Sequence, residues 1–352
     1  MNKLRLTLCS TLFAFLIPQV QAGSLNQAEK LDTIKSIKGL LAENYVFPDT
    51  ATKMSEHLQT QVDQGLYSDV KEGKAFARQL TKDLQSISHD KHLRVMLDGE
   101  GRRSAKGGSK KSQEEFENRR ERRAKAKNFG FEEVKILEGN IGYLKLTEFF
   151  DASVGGDTAV AAMNFFANAE ALIIDLRKNG GGSAVMIQYI SSHFFQNKTH
   201  LNSFYNRKTG ELTDFWTFDD IEGKKRPNVP LYILTSDYTF SAAEEFAYNF
   251  QNLKRATVIG ESTGGGANPI YLFDLGNGFR ASIPISKAVN PISKTNWEGV
   301  GVQPDIVIDA DKSFDLAYKM ALETIKPNIE NQYQLKDVNE QIKLFDEKDI
   351  HE

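Results

Sequence analysis

Residues 231–251 read LYILTSDYTFSAAEEFAYNFQ. The opening run, LYILT, is continuous and apolar, the pattern of a strand covered on both faces. Polar turn residues follow, and Ser241 then opens a segment, AAEEFAYNFQ, that reads as helix. A serine at that junction is a favoured N-cap. It also stands beside the free backbone N–H groups of a helix start, which suit an oxyanion. Choosing between the two roles requires a base and a second oxyanion donor elsewhere in the chain.

Working outward, the same texture repeats on both sides. ALIIDLR (171–177) and RATVIG (255–260) are further buried strands. DTAVAAMNFFANA (157–169) and GGGSAVMIQYISSHFF (180–195) are helical, the second fed by a glycine loop. FEEVKILEGNIGYLKLTEF (131–149) reads as two strands around a Gly139–Asn140 turn. Strand and helix in alternation predict an α/β fold, with a mixed, largely parallel sheet flanked by helices. Ligands of such sheets bind beyond the carboxyl ends of the strands, where both the glycine loop and Ser241 fall.

The N-terminal third differs. LDTIKSIKGLLAENYVF (31–47) and FARQLTKDLQSI (76–87) carry apolar residues three or four apart, and a short strand, HLRVML (92–97), follows. A helical N-terminal domain over 23–98 is expected. Residues 99–130 are polar and rich in both charges, the composition of a solvated linker or exposed helix. The α/β core then spans 131–326, and 327–352 reads as a polar tail.

The first 22 residues have Lys3 and Arg5, an apolar run from Leu6 to Ile17, and small-residue VQA ending at Ala22. That is the form of an export signal, and the apolar run is too short to span a bilayer. An exported protein, periplasmic or secreted, with no stable membrane span is expected. Beyond residue 22 there are 42 Lys and Arg against 47 Asp and Glu, a mildly acidic balance that gives no reason to expect nucleic acid as partner. The sole cysteine, Cys9, lies inside the signal, so chemistry in the exported chain rests on Ser, His, Asp, Glu or Lys.

Six histidines are present, and His89 and His92 stand out because SISHDKHLRV joins a helix to a strand. Asp175 and Arg177 read as a structural pair supporting the glycine loop. That loop lacks the Lys-Ser/Thr of a P-loop and the spacing of a dinucleotide fingerprint. No His/Asp/Glu set has metal-ligand spacing, so neither a metal nor another cofactor is expected. Oligomeric state is not legible.

Taken in order, LIIDLRKNGGGS, YTFSAAEEFA, VIGESTGGGA and WEGVGVQPDI resemble the C-terminal processing, or tail-specific, serine peptidases over about residues 131–310. SHDKHLRV resembles the histidine motif of the branch that includes tricorn protease and the interphotoreceptor retinoid-binding protein. The resemblance implies a ClpP/crotonase-like α/β core behind a helical N-terminal part, and a polypeptide substrate. It makes Ser241 the nucleophile. In the processing branch the base is a lysine, but Gly266 stands at that position here, which removes a Ser–Lys dyad. His92 is then the expected base and Glu298 the carboxylate that orients it, with Glu261 as the alternative acid. Lys91 occupies the place of a serine in tricorn's motif. Ala242 and the glycine loop, Gly181 and Gly182, are expected to supply the oxyanion N–H donors. The interval 99–130 lacks the strands of the PDZ domain usual in processing peptidases. The same resemblance leaves two other readings open, a non-catalytic carrier of apolar ligands and an esterase.

Overall fold

The structure, a computed structural model, describes residues 25–97 and 110–349. The expected export signal, with Cys9, lies outside them. The chain opens with helices α1 (Gln27–Asn44), α2 (Pro48–Asp63) and α3 (Gly73–Ser88), then strand β1 (Arg94–Leu97) and helix α4 (Lys110–Ala126). The core follows as β2 (Phe131–Leu137), β3 (Ile141–Leu146), α5 (Ala152–Phe165), β4 (Ala171–Asp175), α6 (Ala184–Ser192), β5 (His200–Asn206) and β6 (Leu212–Trp216). It continues through β7 (Leu231–Thr235), α7 (Ala242–Asn252), β8 (Thr257–Gly260), β9 (Ile270–Gly276), β10 (Phe279–Pro284), β11 (Ser286–Val289) and β12 (Ile306–Val307). Helices α8 (Ala310–Ile325) and α9 (Gln332–Asp349) close it.

Among the described residues, six strands form the central sheet in the order β12-β8-β7-β4-β3-β2. Only the β2–β3 hairpin is antiparallel; the other pairs are parallel, in keeping with the mixed, largely parallel sheet expected. Gly139 and Asn140 turn that hairpin with positive φ, 77° and 60°, as a tight two-residue turn requires. Every residue of β4 and of β7 is buried, because α5, α6 and α7 cover one face of the sheet and α8 the other.

Two small antiparallel sheets flank this core, β11-β5-β6 and β1-β10-β9. The second joins the two ends of the chain's architecture. Leu41, Met54, Phe76, Leu80 and Leu84 of the first three helices bury against Phe279, Ala281 and Ile283 of β10. The helical N-terminal unit is therefore completed by strands from the far side of the core. Within residues 99–130, expected as a linker, 110–126 form α4, and Arg123 pairs with Glu148 at 2.7 Å.

Residues 327–352, read as a polar tail, instead carry α9. Val338, Ile342 and Phe345 recur four and three residues apart, which places them on one helical face. Val338 and Phe345 bury against Tyr318 and Leu322 of α8. The stripe is narrow, so a polar composition concealed it. Phe345→Ala is expected to lower the free energy of unfolding by about 3–5 kcal/mol in a denaturant titration; a loosely attached tail would leave it unchanged.

Candidate functional site

Ser241 sits between β7 and α7 with φ 57° and ψ −120°, a backbone conformation that a residue with a side chain rarely holds. The surroundings enforce it. Thr239 Oγ1 accepts the Ser236 N–H and donates to Leu176 O, while Phe240 N–H donates to Asn179 O at 3.1 Å. These bonds tie the turn after β7 to the loop after β4. At the start of α7, Glu244 accepts the Ser241 N–H at 2.7 Å, the reciprocal half of a capping box. Its other contacts reach the 263–266 loop: Thr263 Oγ1 at 2.5 Å, Gly265 N–H at 2.6 Å and Gly266 N–H at 2.8 Å.

The glycine loop lies directly against this turn. A Cβ at Gly181 would stand 2.8 Å from Ser241 Cβ, and one at Gly182 would collide with the carbonyl oxygen of Phe149. Both positions also hold positive φ, 106° and 143°, so only glycine fits. Gly181 N–H donates to Asn179 Oδ1 at 2.9 Å. That bond removes Gly181 from the expected oxyanion donors and gives it a spatial role. Gly182 and Ala242 remain beside Ser241 in the same cleft.

His92 arrives from the other end of the molecule. Helix α3 stops at His89, whose left-handed φ of 56° reverses the chain. Asp90 Oδ1 then accepts the His92 N–H at 3.0 Å, and Ser282 Oγ of β10 donates to His92 O at 2.5 Å. Lys91 Nζ donates to Gly264 O at 2.7 Å and pins this junction to the loop held by Glu244. The imidazole packs on Phe240 with ring centroids 4.6 Å apart. At Gly266 a Cβ would lie 2.7 Å from His92 Cε1 and overlap the Phe240 ring. The histidine thus fills the space into which a side chain at position 266 would project.

Glu298 Oε2 accepts the N–H groups of Ala267 and Asn268 at 2.6 and 3.2 Å. Its Oε1 is buried without a hydrogen-bond partner among the described residues, as is Nδ1 of His92. One atom each of Asp90, His92 and Glu298 lie within 4.8 Å of one another. The fold thereby gathers three groups that could hold a metal ion, a cluster that sequence spacing did not reveal. Burial, helped by the charge of Arg94, holds His92 down to about 4. Burial and then the charge of Asp90 push Glu298 up to about 8, and burial also raises Asp90. Each of these two carboxyls, this close together, makes ionisation of the other more costly. Glu261 lies elsewhere: its carboxylate accepts the N–H groups of Asp237 and Ala310, at 3.3 and 3.2 Å. Asp175 and Arg177 form a bidentate pair, and Arg177 also donates to Ala310 O, so they brace the loop from behind.

Ser241 and His92 share two clefts, of about 560 and 610 Å³. Asp90 and Glu244 were not singled out from the sequence. The Ser-x-x-Glu spacing of a capping box was the available signal for Glu244; for Asp90 it was the Asx turn in HDKH.

Residues 140–308 match the family described as peptidase family S41, and residues 27–124 match the N-terminal domain of that family in eukaryotic IRBP. The carboxy-terminal-processing protease of Bartonella bacilliformis is 30% identical over 179 residues, 49% of this chain and 40% of that protein. The chloroplastic carboxyl-terminal-processing peptidase 2 of Arabidopsis thaliana is 30% identical over 166 residues, 47% of this chain and 31% of that one. The chain therefore spans less than half the length of these curated relatives. A protein from Parabacteroides merdae assigned as a peptidase has the same fold, with a TM-score of 0.58 at 18% identity over 83% of this chain and 96% of that one. Tricorn protease aligns with a TM-score of 0.53 at 16% identity, over 85% of this chain and 37% of its own. With its N-terminal and catalytic segments matched in order, the chain belongs to peptidase family S41.

Proposed function

We propose that the protein is a serine peptidase in which Ser241 attacks the scissile carbonyl and His92 accepts its proton. The observation that carries this reading is the meeting, in one cleft, of a hydroxyl held in a strained turn at a helix start and a half-buried histidine. Burial keeps the imidazole neutral, the form a general base needs. Glu298, with Asp90 beside it, faces the ring and stabilises the imidazolium that forms during acylation. The N–H groups of Ala242 and Gly182 supply the oxyanion donors; losing one such donor costs roughly 3–4 kcal/mol in the transition state. The collapsing tetrahedral intermediate takes its proton back from His92 onto the leaving amine, and water then repeats the sequence on the acyl-enzyme. A polypeptide substrate fits the activity named in the relatives. Export is proposed from the charged and apolar start of the chain, with Gly23 as the mature N-terminus found by Edman sequencing; retention of Met1 on the exported protein would refute it. Among the described residues no helix is long and apolar enough to cross a membrane.

Cleavage of unfolded casein by the full chain tests the reading. Ser241→Ala and His92→Ala are each expected to lower kcat by about 10⁴–10⁶ without loss of fold. Hydrolysis of a simple ester without casein cleavage would assign the site to an esterase, and inertness toward both would favour a carrier of apolar ligands. Gly266→Ala, which drives a methyl group into His92 and Phe240, is expected to lower kcat/KM by about 10²-fold, as small misplacements of a base do.

The pH profile carries a signature of burial. The base is neutral above its depressed pKa, so kcat/KM is expected to fall only as pH drops through about 4. An ordinary histidine would place that limb near 6.5. Glu298 ionises as pH rises through about 8 and adds negative charge beside the imidazolium, so a second rise is expected there. Glu298→Gln should abolish the second step and leave the first.

A further inference from the structure

Beneath the nucleophile lies a second carboxyl that the chemistry above does not use. Glu245 lies in the first turn of α7, four residues after Ser241, and its N–H donates to Ser241 O at 3.0 Å. Glu245 is 4% exposed, yet it lines the 560 Å³ cleft that opens on Ser241 and His92. The amides of Asn202 and Asn249 approach it, but neither amide nitrogen completes a hydrogen bond. No lysine or arginine lines this cleft among the described residues, while a second carboxylate, Glu211, does. Phe204, Phe215 and Trp297 form apolar walls. The cations near the reacting pair, Lys91, Arg94 and Arg280, line the other cleft.

A carboxyl placed this deep without a cation is costly unless a partner arrives. Burial pushes Glu245 up to about 7. Phenyl and indole walls suit the methylene stem of a long side chain, and their ring faces also attract a cation. We infer that this cleft is a specificity pocket for a lysine or arginine side chain next to the scissile bond, with Glu245 at its floor as the partner of the cationic tip and Glu211 as a further attracting charge. The inference rests on the serine peptidase reading and names the substrate class of that site.

The test uses the full chain and internally quenched peptides that differ at one residue on either side of the bond cut in casein. Lysine, arginine, norleucine, glutamine and glutamate are compared at each position. At one of the two positions, kcat/KM for lysine or arginine is expected to exceed norleucine and glutamine by at least about 10-fold and glutamate by more. Glu245→Gln should reduce the preference over norleucine to within about threefold, acting on the cationic substrates far more than on the neutral ones. Casein and the peptides cut without preference for a cation would overturn the inference and leave the peptidase reading standing. So would preference unchanged in a folded Glu245→Gln variant, or, if that variant misfolds, unchanged in Glu211→Gln. Absence of cleavage in casein and every peptide would overturn both.

Discussion

The site depends on one buried carboxylate. Glu244, with no exposed surface, binds the N–H of Ser241 on one side and the N–H groups of Gly265 and Gly266 with the Thr263 hydroxyl on the other. Burial raises its pKa, and the four donors pull the other way and make an interior charge tolerable. The consequence is mechanical. The strained turn that presents Ser241 and the loop that presents Gly266 to His92 become one rigid piece, although the first joins β7 to α7 and the second joins β8 to β9.

The histidine is set by a second constraint, the closure of the N-terminal helices onto β10. Phe76 and Phe279 pack edge to face at 5.5 Å, and β1 pairs with β10 along its whole length. Those contacts fix the junction from Ser88 to Leu93, and Lys91 completes the seam with its bond to Gly264. His92 and Ser241 thus come from separate layers of the molecule, aligned by burial and by polar contacts that cross between them. Trp297 seals the underside: its indole N–H donates to Gly266 O at 2.9 Å, and the next residue is Glu298.

Much of this was legible in the sequence because local patterns coincided with tertiary roles. Continuous apolar runs at 171–175 and 231–235 are β4 and β7, and the polar break before Ser241 is the turn that carries it. The substitution of glycine for lysine at 266 pointed away from a lysine base, and the packing shows why the space there is already occupied. What stayed hidden has physical causes. Strands β5, β6, β9, β10 and β11 lie in two small antiparallel sheets whose mixed exposure weakens the alternation that marks a strand. Helix α9 buries only a narrow stripe, so composition masked it. Asp90 and Glu245 owe their burial to residues distant in sequence, which the local Asx turn at Asp90 and the helical pattern at Glu245 do not reveal. Gly181 was legible as a glycine that must approach Ser241, but not as one whose N–H is already bonded to Asn179.

If His92 activates Ser241, the hydroxyl is reactive in the folded protein and ordinary once the imidazole is removed. The most direct measurement treats the folded full chain with diisopropyl fluorophosphate and maps the adduct by peptide mass spectrometry. A single phosphoryl adduct is expected on Ser241, forming far more slowly once His92 is replaced by alanine. An adduct on another residue, none at all on the folded protein, or one that forms equally fast without His92 would contradict it.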